Sequence, residues 1–297
     1  MNYDLTANRS TFHIEPLNPT FGAKISGVDL SAPLSDAERT AVVSAFHDHQ
    51  VLVFRGQNLT AAQHVAFSRI FGPLAVHPLD NYLHPNHPEI LVISNVIGKD
   101  GKTEGNDENG MIEWHSDFSW HRSPSIGSVL HGVVIPPVGG DTLFVSMYTA
   151  YETLPAETQK RLRGLVAVRS FDFLTENERK INPLKPPLTE VQRARTPPVT
   201  YPLLRRHPVT GRTSLFVGEM VVSDIPGLTK DEADTLVHEL IAHATRPQNV
   251  YTHRWQQGDL LLWDNRCTLH TGTPCDRSYT RVLHRTTLHG EPVFAAD

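Results

Sequence analysis

Behind Ser35 the apolar residues Ala41, Val42, Ala45 and Phe46 recur at helical spacing, and Ser35 with Glu38 three residues on forms a capping box. A first helix is predicted there. The unbroken apolar run Val51 to Phe54, ended by Arg55 and Gly56, predicts a buried strand. Thr60 and Gln63 form a second capping box, opening a helix that runs to about Phe71 before Gly72.

From residue 90 the pattern changes to short strands: Ile90 to Ser94, Gly127 to Ile135, Thr142 to Met147, Thr200 to Leu204, Ser214 to Val217, Asp259 to Trp263 and Arg281 to Leu288. Turn-forming stretches such as Pro136 to Gly140 and Pro208 to Gly211 divide them. This series predicts a mainly β fold, an antiparallel barrel or sandwich. One helix interrupts it: Thr229 and Glu232 cap a stripe of Ala233, Leu236, Val237, Leu240, Ile241 and Ala244, which stops at Pro247. Between Leu174 and Pro198 no period is sustained, and Pro183, Pro186, Pro187, Pro197 and Pro198 stand among charged residues. A proline-rich insertion of this kind is expected to be a mobile lid or disordered. Length alone leaves domain count open, but with no repeat and no linker, residues 1–297 are expected to form one domain.

Composition adds exclusions. With 39% hydrophobic and 20% charged residues the chain can bury a sizeable core. Lys+Arg 27 against Asp+Glu 32 gives a net charge of −5 without a basic run, which removes the electrostatic footprint of a nucleic-acid binder. Met1 to Ser10 lacks a signal-peptide core and no apolar run is long enough for a membrane span, so a cytoplasmic location is expected. Two cysteines, Cys267 and Cys275, allow one disulfide but read as two free thiols.

The chemistry concentrates at Trp114-His115-Ser116-Asp117, because side chains two apart on an extended backbone share a face. His115 and Asp117 can grip one ion there, or be two solvated turn residues. The apolar run from Leu260 leads through an Asp264-Asn265 turn to His270, a third donor. Two histidines and a carboxylate suit non-heme Fe(II) with open positions for cosubstrate and dioxygen, with zinc as the competitor. Arg281 and Arg285 alternate with Val282 and His284, so on a strand both face one way, roughly 13 Å apart. Inward arginines would meet anions, since guanidinium suits carboxylate or sulfonate; an outward, solvated pair is the alternative.

Taken together, WHSD at Trp114 to Asp117, GGDT at Gly139 to Thr142, WDNRCTLH ending at His270, and Arg281 and Arg285 beyond it resemble the taurine dioxygenase and aryloxyalkanoate (2,4-dichlorophenoxyacetate) dioxygenase family. GVDL at Gly27 to Leu30 and VLVFRGQ at Val51 to Gln57 extend the resemblance over most of the chain. It implies a double-stranded β-helix, or jelly roll, with outer helices. It also implies Fe(II) on His115, Asp117 and His270, and 2-oxoglutarate on Thr142 and Arg281. Arg285 falls where relatives meet the substrate's anion or the cosubstrate, and His77 where sulfonate-oxidising relatives bond the substrate. The other reading of His77 is an exposed loop histidine. Phe118 and Trp120 are placed to line the pocket, or are ordinary core. The implied reaction consumes O2 and 2-oxoglutarate, releases succinate and CO2, and hydroxylates a C–H bond of a small anionic substrate: a sulfonate, sulfate ester, aryloxyalkanoate or amino-acid derivative. The presence of Asp117 argues against a halogenase. Relatives are commonly dimers or tetramers.

Two positions depart from the pattern. Asp80 replaces a substrate-contacting tyrosine, which argues against taurine, and Met111 replaces an asparagine whose hydrogen bond would fall to Asn109 or Asn95. Competing readings are a catalytically silent metal-binding sensor and a zinc hydrolase. The first leaves intact ligand and cosubstrate positions without use, and the second gives Thr142 and Arg281 no role.

Overall fold

Two neighbouring strands, Val51–Phe54 and Leu260–Asp264, are apolar at nearly every position because both their faces are covered. They pair antiparallel, Leu260 opposite Phe54 and Leu262 opposite Leu52. Leu52, Phe54, Leu260 and Leu262 point to one side, onto Phe46 of the helix Asp36–His49 and Phe67 of the helix Ala61–Ser68. Val51, Val53, Leu261 and Trp263 point to the other, where they meet Phe144. A period of two therefore builds two cores from one pair of strands.

The computed structural model describes residues 12–78, 80–99, 101, 103–108, 113–181 and 187–296. Among them the larger sheet runs in the order His13–Pro16, Ala23–Ser26, Val51–Phe54, Leu260–Asp264, Gly127–Val134, Val282–Leu288, His87–Ser94 and Leu83–His84. A smaller antiparallel sheet, Val250–His253, Thr142–Ser146 and Thr268–Gly272, brings Phe144 into the cluster that holds Leu261, Trp263 and Leu283. This is a jelly roll, with the helices outside. The helix Lys230–Ala244 buries its whole predicted stripe against Met147, Leu203, Leu215 and Val222. Neither cysteine is in a disulfide, and both are buried.

The capping boxes at Ser35, Thr60 and Thr229 are all formed. The region from Leu174 to Pro198 differs from its sequence reading. The helix Phe171–Ile181 enters it and the helix Glu190–Arg195 follows, joined by an ion pair from Arg193 to Asp172 at 2.7 Å. The first was hidden because few apolar residues mark its inner face: Phe171 and Leu174 pack on the core beside buried Thr175. Residues 182–186, which include Pro183 and Pro186, lie outside the described residues. Tertiary pairing also creates strands too short to announce themselves, Val166–Arg169, Val222–Asp224 and Val250–His253.

On the outer face of the larger sheet His64, buried under its own helix, lies 5.9 Å from His131, and His284 lies 5.4 Å from His84. The His64 Nε2 donates to the Val129 carbonyl at 3.3 Å. Burial first, then the neighbouring histidines, lowers His64 to about 3 and His284 to about 4. The unfolded chain takes up these protons near pH 6.5, whereas the folded chain does not. Stability from this cluster is therefore complete above pH 6.5 and falls as the pH drops toward 4 and then 3. Chemical denaturation should show a loss of about 2 kcal/mol between pH 6.5 and 5 from His64 alone, reduced by that amount in His64→Gln. Identical pH dependence in the two proteins would contradict it.

Candidate active site

His115 and His270 face each other across an antiparallel bridge. The His115 N–H donates to the His270 carbonyl at 3.0 Å and the His270 N–H to the His115 carbonyl at 2.8 Å. Residues exchanging both bonds put their side chains on one face, and the two rings lie 4.2 Å apart. Asp117, two residues after His115, joins that face. Its Oδ1 is 4.0 Å from His115 Nε2 and its Oδ2 is 4.0 Å from His270 Nε2. The three donors lie within 4.8 Å of one another.

The donor set fits a divalent metal. His115 Nδ1 donates to the Glu113 carbonyl at 3.0 Å, which leaves Nε2 as the ring nitrogen nearest Asp117. His270 is buried with Nδ1 unpartnered, and its ring is held neutral by burial first and then by His115. Burial alone would raise the Asp117 carboxyl, but Arg285, then His270 and His115, and the Ser128 hydroxyl hold it well below the usual carboxylate range. The centre thus offers two imidazoles and one carboxylate, the set expected for non-heme iron.

Asn265 fixes this geometry. Its Oδ1 accepts from the Asp117 N–H at 3.2 Å and from Trp263 Nε1 at 2.9 Å, while its Nδ2 donates to Ser125 and Ser128. Ser128 in turn donates to Asp117 Oδ2 at 2.6 Å. Neither Asn265 nor Ser128 was given a site role from sequence; the place of Asn265 within the WDNR run was the available signal, read only as a turn.

A cavity opens from the donors and is lined also by Thr142, Arg281 and Arg285, so the two arginines do face one way. Arg281 Nη2 donates to the Gly140 carbonyl at 3.0 Å, leaving Nε buried without a partner. Gly140 stands at φ +68°, and a Cβ there would come within 2.6 Å of that Nε. Trp255 Nε1 donates to Thr142 Oγ1 at 3.0 Å, which leaves the hydroxyl proton for another acceptor. Gly140 was read only as part of the GGDT motif, and Trp255 was not singled out. Asn95 accepts from the Arg281 N–H and donates to the Tyr279 carbonyl, both at 2.8 Å, so its amide positions Arg281. Asn109 and Met111 lie outside the described residues.

The expected substrate contacts are only partly gathered. Arg285 Nη1 pairs with Asp117 Oδ1 at 3.1 Å and approaches Glu108 at 3.6 Å. His77 packs edge-on against Phe118 at 5.3 Å, and neither residue lines the cavity that holds the donors. Phe118 borders a neighbouring cavity with Leu74 and His121. Its φ of +54° is strained for an aromatic residue and turns it onto Trp120, which stacks on Phe171 at 4.1 Å. A second group of donors, His47, His207 and Asp264, is occupied by protein: Arg266 binds both oxygens of Asp264, at 2.8 and 2.6 Å, and touches His47 at 3.2 Å.

Residues 13–287 match the model of the taurine catabolism dioxygenase TauD, TfdA family. The chain is 39% identical over 285 residues to the alpha-ketoglutarate-dependent 2,4-dichlorophenoxyacetate dioxygenase of Cupriavidus pinatubonensis, covering 92% of this chain and 96% of that one. It is 31% identical over 294 residues to the alpha-ketoglutarate-dependent sulfate ester dioxygenase of Pseudomonas putida, covering 96% and 91%. The crystal structure of AAD-2 with Mn(II) and N-oxalylglycine superposes with a TM-score of 0.80 at 31% identity, over 96% of this chain and 100% of that one. A jelly roll with a two-histidine, one-carboxylate centre beside a cavity bearing two arginines thus agrees with the sequence likeness, and the chain belongs to the TauD, TfdA family of dioxygenases.

Proposed function

We propose that His115, Asp117 and His270 hold Fe(II), that Thr142 and Arg281 hold the distal carboxylate of 2-oxoglutarate, and that the enzyme hydroxylates a small organic anion. The observation that carries this reading is the convergence of three donor side chains, His115, Asp117 and His270, beside a cavity that also presents Arg281 and Thr142. Bound iron supplies activation of O2, with 2-oxoglutarate leaving as succinate and CO2 and one oxygen atom entering a substrate C–H bond.

The chain's own residues position and protect. Arg281 offers a partnerless Nε toward an incoming carboxylate, and Trp255 turns the Thr142 hydroxyl proton in the same service. Arg285 is held by Asp117, with its Nε partnerless; metal binding to Asp117 would weaken that pair and leave Arg285 to a substrate anion. His77 and Phe118 would contact the remainder of the substrate, with the helix Phe171–Ile181 as the outer wall. Burial of Asp117, His270 and Arg285 strengthens the charge contacts among them.

The relatives' aryloxyalkanoate and sulfate-ester substrates suggest where a search starts. Asp80 keeps taurine disfavoured. A cytoplasmic homo-oligomer of single-domain chains completes the proposal, and no helix among the described residues is long and apolar enough to cross a membrane.

A screen of aryloxyalkanoates, sulfate esters, sulfonates and amino-acid derivatives should find a compound that stimulates succinate release with Fe(II) and 2-oxoglutarate. His115→Ala should abolish that release; full activity in the variant would exclude the triad. Arg281→Ala should chiefly raise the KM for 2-oxoglutarate, roughly tenfold or more for a lost charge-assisted pair. Gly140→Ala should act in the same direction by displacing Arg281, and an unchanged KM in both variants would remove Arg281 from the cosubstrate site.

A further inference from the structure

Behind the aromatic wall of Phe118, Trp120 and Phe171 lie two arginines that the proposed reaction does not use. Arg169 ends the strand Val166–Arg169 and Arg205 lies in the strand Leu204–Arg206; they are 0% and 1% exposed. Both guanidinium groups lie against the Phe216 ring, 3.7 and 4.7 Å from its centroid, and Arg169 Nη2 donates to the Phe216 carbonyl. The Nε and Nη1 of each arginine are buried with no hydrogen-bond partner.

A guanidinium stays protonated, so burial cannot be relieved by losing the charge, as it is for lysine or histidine. Uncompensated buried charge is among the most destabilising features a core can hold. Among the described residues no carboxylate forms an ion pair with either group. The acids whose field reaches Arg205 are Asp264 and Glu291, and both are bonded to Arg266. Tyr201 contributes no anion, because its hydroxyl donates to the His121 carbonyl and burial raises its pKa. Burial first, then the charge of Arg205, lowers Arg169 to about 9, which expresses the same uncompensated repulsion. Three guanidinium groups, Arg169, Arg205 and Arg266, thus face two carboxylates, an excess of one positive charge.

We propose that Arg169 and Arg205 form a buried site for one small monovalent anion, chloride being the probe of choice. A single negative charge balances the excess, and four unpartnered nitrogens, Nε and Nη1 of each arginine, supply the N–H bonds that a halide accepts. Complete burial favours an ion without substituents. The site backs the wall of the substrate side, since Ser170 and Phe171 follow Arg169 directly and Phe171 stacks on Trp120.

The decisive test is diffraction from crystals of the full chain grown with bromide in place of chloride. An anomalous peak in contact with both guanidinium groups is expected; a map that shows bromide elsewhere but not there overturns the proposal. In solution, chloride should raise Tm saturably by about 3 °C over gluconate at equal ionic strength, and Arg205→Met should abolish the increment. Equal Tm in the two salts overturns it as well. If Arg205→Met does not fold, the bromide map of the unaltered protein still decides, and neither measurement depends on turnover.

Discussion

The reciprocal pair of backbone hydrogen bonds between His115 and His270 is the contact on which the centre depends. Each bond is worth only about 1 kcal/mol net, but together they fix which side chains share a face. They extend the smaller sheet by one bridge, beside Phe144 of the central strand, and bring together residues 155 positions apart in the chain. Asp117, two residues on, comes to the same face, and Asn265 and Ser128 hold it there. A one-residue slip of this bridge would turn His115 away and leave three isolated polar side chains.

Charge placement follows from that register. Asp117 is buried, and Arg285, the two histidines and the Ser128 hydroxyl together offset the cost of its ionisation. The turn that leads to His270 carries a parallel arrangement, in which Arg266 neutralises Asp264 and shields the His47 and His207 side. The same WDNR run therefore serves two ends. Asp264 and Arg266 anchor the turn, while Asn265 reaches back to hold Asp117. In one donor group Arg266 takes both carboxylate oxygens, whereas in the other Arg285 meets only Oδ1 of Asp117.

Local periodicity made much of this legible. Capping boxes located three helices, and the alternation through Arg281 and Arg285 put both arginines on one face, which the structure turns inward. The family motifs placed Thr142 and His270 along one chain. What stayed hidden depends on long-range contact. Trp255 bonding Thr142, Asn265 bonding Asp117 and Gly140 making room for Arg281 are pairings between residues 113, 148 and 141 positions apart. The helix Phe171–Ile181 was masked by its charged outer face, and Arg169 and Arg205 carry no local sign that they are interior.

The most direct measurement is anaerobic absorption spectroscopy of the apoprotein titrated with Fe(II) and 2-oxoglutarate. A visible metal-to-ligand charge-transfer band is expected in the unaltered protein and its loss in His270→Ala, because the bridge then delivers only two donors. Retention of the band in His270→Ala, or its absence from the unaltered protein with iron bound, would contradict the account.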